Sequence, residues 1–215
     1  MSKTKYSMQK HLEVIPDWLY HSPALNSDTL PALQKELIKL YLFVKDRSFV
    51  PLTSTFFPYG GPNLKERKHV FDSCPVLEQE LLRLKLLDKF FFVGFVSVDA
   101  GKEFPPHVDD RVVGLNIPLL NCDDTYTVWY DAKVLDQPFP DYVIGGAFAN
   151  RARISDQKHA VEIGRTEANR PLWVRTNVTH RPETYHDKFR LAAGIRFNPE
   201  PVDENDNLWP HLIKQ

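Results

Sequence analysis

The chain has 215 residues, 42% of them hydrophobic and 26% charged, which suits one domain with a sizeable core. Its formal net charge is −1 and its pI about 6.7, so no global basic field points to nucleic acid. Two cysteines, Cys74 and Cys122, are too few for a disulfide framework, and no apolar run approaches the ~18 residues of a membrane span.

The opening Met1-Ser2-Lys3-Thr4-Lys5 lacks an apolar h-region, and the expected location is cytoplasmic, with both thiols reduced and buried. Asn26-Ser27-Asp28 offers helix caps, and Leu33, Leu37, Leu40 and Tyr41 recur at helical spacing, predicting a helix over 28–45. Residues 51–71 read as irregular, with Pro58-Tyr59-Gly60-Gly61-Pro62 a loop by its own chemistry. A second helix is predicted over 75–87, with Pro75 near its first turn and Leu77, Leu81, Leu84 and Leu87 as its stripe.

After Asp88 the period changes. Phe90 to Val98 is rich in β-formers, and further strands are predicted at 112–119, 125–131, 158–164, 171–177 and 189–197. No convincing helix separates them. The expected fold is therefore mainly β with N-terminal helices, an antiparallel barrel or sandwich rather than alternating βαβ units. Residues 132–157 are expected to form a long loop, of the kind that serves as a lid or a binding loop. The segment 151–196 carries ten Lys/Arg against five Asp/Glu, a local excess that can attract an anionic substrate or cosubstrate.

The chemistry-bearing stretch is Pro105-Pro106-His107-Val108-Asp109. A lone H-x-D is a weak signal. Here the two ligand types are two residues apart, and on an extended strand they share a face. His180 follows 71 residues after Asp109, and Arg190 comes ten residues after His180. Two imidazoles and a carboxylate make a three-ligand facial site for iron(II) with open positions. A fixed planar guanidinium suits a carboxylate. His186 lies only four residues before Arg190, too close for the third ligand, and Asp110 faces the other side of the strand from Asp109. His11, His21, His69 and His211 read as surface histidines, His159 and Arg175 as barrel-surface residues, Arg196 as structural, and Trp129 and Trp173 as core. Phe104, Trp129 and Tyr130 are candidates to line the mouth of the site.

The order H-x-D, distal His, then Arg ten residues later on the final strand resembles the iron(II)/2-oxoglutarate-dependent dioxygenase superfamily over roughly 88–198. Leu115-Asn116-Ile117-Pro118-Leu119 and Pro171-Leu172-Trp173-Val174-Arg175-Thr176 are similar to uncharacterised prolyl-hydroxylase-like members of phage and microbial type. The resemblance implies a double-stranded β-helix, the jelly-roll or cupin-like barrel. It implies an N-terminal helical segment (1–87) packed on an oxygenase core (88–198), with a tail at 199–215. It further implies that His107, Asp109 and His180 bind iron(II) and carry catalysis, and that Arg190 binds the distal carboxylate of 2-oxoglutarate. O2 would be the oxidant and ascorbate a supportive reductant. The substrate would be hydroxylated with release of succinate and CO2. The family often has Arg-x-Ser where this chain has Arg190-Leu191-Ala192, a loss of one hydrogen bond worth about 1 kcal/mol, which Asn116, Tyr130 or Thr176 would replace. The substrate class stays open between a protein side chain, a nucleobase and a small metabolite, with no membrane partner. Two alternatives compete: a catalytically inactive jelly-roll binding module, and a cupin-type metalloprotein, in which Arg190 would have no task.

Overall fold

A computed structural model describes residues 16–46, 55–100, 104–138 and 153–214. Among these residues, twelve strands form two six-stranded antiparallel sheets. The larger contains β1 (Tyr20–His21), β2 (Thr55–Gly60), β3 (Phe90–Val98), β5 (Val113–Leu120), β10 (Leu172–Arg175) and β12 (Arg190–Phe197), in the order β1-β10-β5-β12-β3-β2. The smaller contains β4 (His107–Val108), β6 (Thr125–Asp131), β7 (Val134–Pro138), β8 (Arg153–Ser155), β9 (Val161–Glu167) and β11 (His180–Thr184), in the order β7-β8-β4-β11-β6-β9. From β3 to β6 the chain alternates between sheets at each strand, and it does so again from β9 to β12. That winding is a double-stranded β-helix, the expected architecture.

Strands β3, β10 and β12 of the large sheet are buried on both faces, so their sequences need not alternate. One face of β12 presents Leu191, Ala193, Ile195 and Phe197 to a core shared with Phe95, Leu115 and Trp173. Helix α1 (Leu30–Asp46) covers that face with Leu33, Leu37, Leu40 and Tyr41, the four residues of the expected stripe. Helix α3 (Pro75–Arg83) adds Leu77 and Leu81. The buried Glu80 of α3 accepts hydrogen bonds from the Asn26 amide and the Thr29 hydroxyl, tying α3 to the entry of α1. The C-terminal stretch also packs here: Leu212 is fully buried, and the Trp173 indole donates to its carbonyl at 3.0 Å.

Three expectations change. Residues 51–71 are not irregular where described. Thr55–Gly60 pairs with β3, and α2 (Leu64–Ser73) follows a turn in which Gly60 and Gly61 take φ of 117° and 62°. Asn63 caps α2, accepting from the Lys65 and Glu66 amides, while its own side-chain amide donates to Glu66 at 2.9 Å. The 132–157 stretch is not loop throughout, because β7 and β8 occupy its ends and pair with each other. The expected lid between them lies outside the described residues. The strand expected at 158–164 runs instead over Val161–Glu167, after a short helical turn, Gln157–His159, capped by Asp156. Among the described residues no helix is long and apolar enough to cross a membrane.

Candidate metal centre

The inward faces of the two sheets follow from register. In the small sheet His180 stands opposite both His107 and Trp129, so all three point the same way. In the large sheet β12 pairs with β3 without a shift from Arg190 to Arg196. Since Leu191, Ala193 and Ile195 face the helices, Arg190, Ala192, Gly194 and Arg196 face the barrel interior.

At one end of that interior, ligand atoms of His107, Asp109 and His180 all lie within 4.8 Å of one another. The two imidazole centroids are 4.6 Å apart, and His107 Nε2 is 3.8 Å from Asp109 Oδ1. Each ring has its Nδ1 fixed by backbone: His107 at 3.0 Å from the Pro105 carbonyl and His180 at 2.9 Å from the Val178 carbonyl. A carbonyl can only accept, so both Nδ1 atoms carry the proton. Each Nε2 then keeps its lone pair, the arrangement a metal-binding imidazole needs. His180 is 7% exposed, whereas the side chains of His107 and Asp109 keep 13% and 23%, so the cluster is reached from their side. Burial, reinforced by neighbouring His107, pushes the His180 pKa from 6.5 down to about 4 against the pull of Asp109. Burial alone would raise the Asp109 carboxyl, but His180, Arg196 and His107 together hold it below its ordinary range. A neutral imidazole beside an ionised carboxylate is the protonation state of a ligand set for a divalent cation.

Backbone contacts hold these ligands in place. The Asp109 amide donates to the Thr176 carbonyl at 2.8 Å, and the Ser155 amide to the Pro106 carbonyl at 2.8 Å. Glu200 Oε1 accepts from the amides of Val112 and Val113 at 2.8 and 2.9 Å, pinning the segment after Asp109. Phe104 is buried with its ring 6.5 Å from His107, and Trp129 is fully buried with Leu172, Val174 and Val178.

Arg196, expected to be merely structural, lies at the cluster. Its Nη2 is 3.5 Å from Asp109 Oδ2, and its Nη1 is 3.4 Å from Asn116 Oδ1. Two glycines make room for it. A Cβ added to Gly114 would overlap the guanidinium, and one on Gly194 would lie 2.9 Å from Arg196 Nη1. The signal was available in the spacing: Arg190 and Arg196 are six apart, an even number, and so share a strand face.

The other sequence candidates separate clearly. Arg190 opens β12, inward and 5% exposed, and its Nε is buried without a hydrogen-bond partner among the described residues. Burial works against its charge, with only Cys122 opposing that effect, and no carboxylate pairs with it among the described residues. Asn116 sits inward on β5 against Arg196. The Tyr130 hydroxyl donates to Glu183 and accepts from Arg181 at 3.2 Å, both on the face of the small sheet opposite His180, and burial raises its pKa to about 12. The Thr176 hydroxyl donates to the Arg111 carbonyl. His186 lies against the Asn121 carbonyl, away from the triad. His159 pairs with Asp156, and Arg175 stacks over Trp18 and reaches Asp206 at 3.4 Å.

The fold and site together define a double-stranded β-helix with a His-Asp-His cluster inside one end of its barrel. No family model matches the chain, and no curated protein matches it. Among solved structures it is similar to Escherichia coli ycfD, at 14% identity, covering 70% of this chain and 36% of that one, with a TM-score of 0.40. It is also similar to SnoK, a non-heme alpha-ketoglutarate-dependent carbocyclase from nogalamycin biosynthesis, at 11% identity, 83% and 78% coverage and a TM-score of 0.44. A variant of Bacillus subtilis oxalate decarboxylase OxdC matches at 9% identity, 71% and 28% coverage and a TM-score of 0.36. The chain thus spans about a third of the length of ycfD. All three likenesses are distant, and the fold assignment rests on the strand order.

Proposed function

We propose that this chain is an iron(II)- and 2-oxoglutarate-dependent oxygenase that hydroxylates an organic substrate, with release of succinate and CO2. The observation that carries the reading is the pairing of two inward sites in one barrel. His107, Asp109 and His180 converge at one end, and Arg190, a buried cation with no carboxylate partner among the described residues, stands six residues before Arg196 on the same face.

His107, Asp109 and His180 would hold the metal, two nitrogens and one oxygen leaving further positions open. When bound, iron(II) with 2-oxoglutarate and O2 supplies an oxidant able to hydroxylate a C–H bond. The chain's own residues do the positioning. The Pro105 and Val178 carbonyls fix both imidazoles in the tautomer that presents Nε2. Arg196 occupies one side of the Asp109 carboxylate, directing the other oxygen toward the histidines. Arg190 would neutralise the far carboxylate of the cosubstrate. Phe104 and Trp129 present apolar surface beside the ligands and exclude water there. The substrate would enter on the more exposed side of His107 and Asp109.

Anaerobic titration with iron(II) and then 2-oxoglutarate tests the reading. The expected result is a weak visible charge-transfer band that needs both additions and is lost in His107→Ala. Failure to bind iron(II) would overturn the metal assignment. Metal binding with no response to 2-oxoglutarate would instead select a cupin-type metalloprotein.

A further inference from the structure

The barrel end away from the metal ligands contains a second buried polar atom without a partner. Thr184 closes β11 and Arg190 opens β12, with five residues of turn between them, so both stand at the same end. Thr184 shares the inward face of β11 with His180, four residues earlier. Its Oγ1 is buried and makes no hydrogen bond among the described residues, and the same is true of Arg190 Nε. Buried hydroxyl and guanidinium groups are ordinarily satisfied, and leaving such a bond unmade is unfavourable. Two such groups at one end of one barrel, one a hydroxyl donor and one a cation, are complementary to a carboxylate, which accepts from both.

The alternatives for that role are engaged elsewhere. The Thr176 hydroxyl is committed to the Arg111 carbonyl, the Tyr130 hydroxyl to Glu183 on the outer face, and the Asn116 side-chain oxygen to Arg196. Ala192, two residues past Arg190, has no hydroxyl to offer.

We infer that Thr184 donates its hydroxyl to the distal carboxylate of the dicarboxylate that Arg190 holds, supplying from β11 the hydrogen bond that Ala192 cannot make. Thr184 is thus a cosubstrate-binding residue, and this assignment rests on the oxygenase reading above. A cost to stability goes with it. In the unliganded chain the unmade hydroxyl is unfavourable, so an isosteric apolar replacement should leave folding intact or improve it while weakening binding.

The experiment is calorimetric titration of the manganese(II)-loaded full chain, which needs no turnover, with 2-oxoglutarate and with 2-oxobutyrate, a 2-oxo acid lacking the distal carboxylate. Thr184→Val should weaken 2-oxoglutarate binding about tenfold, leave 2-oxobutyrate binding and manganese affinity unchanged, and not lower the Tm. Thr184→Ser should restore 2-oxoglutarate binding to within about threefold, because the hydroxyl returns. Equal affinity of wild type and Thr184→Val for 2-oxoglutarate would overturn the Thr184 assignment while leaving the oxygenase reading in place. Equal weakening of both ligands would also overturn it, reducing Thr184 to a packing role. No binding of 2-oxoglutarate by the wild-type chain would remove this inference together with the reading it rests on.

Discussion

Arg196 and Asp109 meet inside the barrel with Nη2 3.5 Å from Oδ2, while the other carboxylate oxygen, Oδ1, lies 3.8 Å from His107 Nε2. The carboxylate is thereby divided, one oxygen toward a fixed cation and one toward the histidines. Arg196→Met should lower divalent-metal affinity by about 10–100-fold, the usual effect of removing a group that orients a ligand. Titration of the metal-free protein with manganese(II), followed by electron paramagnetic resonance, measures it. Unchanged affinity would show that Arg196 does not orient Asp109.

Gly114→Ala tests the same relationship from the opposite side. The added methyl overlaps the Arg196 guanidinium, which must move or the strand must shift. Destabilisation of about 1–3 kcal/mol is expected from the crowding, together with weakened metal binding. The double variant Gly114→Ala/Arg196→Met should recover part of the lost stability, since the longest clashing atoms are gone. Urea denaturation of the four proteins closes the cycle.

The metal-free protein should lose stability as pH falls from about 6.5 to about 4. His180 has its pKa lowered in the fold from 6.5 to about 4, so the unfolded chain binds more protons in that window. Stability then rises with pH by up to about 1.4 kcal/mol per unit there, and the contribution is complete above pH 6.5. The depressed carboxyl of Asp109 acts in the same sense at still lower pH. Urea midpoints of wild type and His180→Gln across pH 4–7 check this. The variant should lack the slope of that window.

Glu200→Ala should destabilise by about 2 kcal/mol or more, because it leaves the amides of Val112 and Val113 without their shared acceptor. Glu200→Gln keeps an oxygen for those amides and should cost less. Thermal unfolding of the two variants distinguishes them. Metal affinity should also fall in Glu200→Ala, since the pinned segment begins three residues after Asp109.

The parts of the fold legible in the sequence were those with a strong period. The stripe of α1 and the β-former run of Phe90 to Val98 are where they were expected, because burial on one helix face or both sheet faces dictates their composition. The two-residue strand β1 gave no signal, being too short to show any period and defined by its partners, Val174 and Trp173. Helix α2 was missed for its polar composition, although Asn63 with Glu66 three residues on is a capping pair. The convergence of His107, Asp109 and His180 was legible because metal-ligand chemistry restricts residue type. Thr184 and Gly114 were not, since their roles come from which atom lacks a partner and which space must stay empty, and neither is written in a local pattern.

His107 and His180 are direct cross-strand partners although 73 residues separate them in the chain. They become neighbours only after the intervening strands have been sorted between two sheets, so the ligand trio cannot be assembled by any local fragment. Loop closure over that distance makes the pairing a long-range, slow event. On the proposed function, uptake of metal would report on completed topology, and a partly folded or truncated chain that ends before β11 would be blind to it.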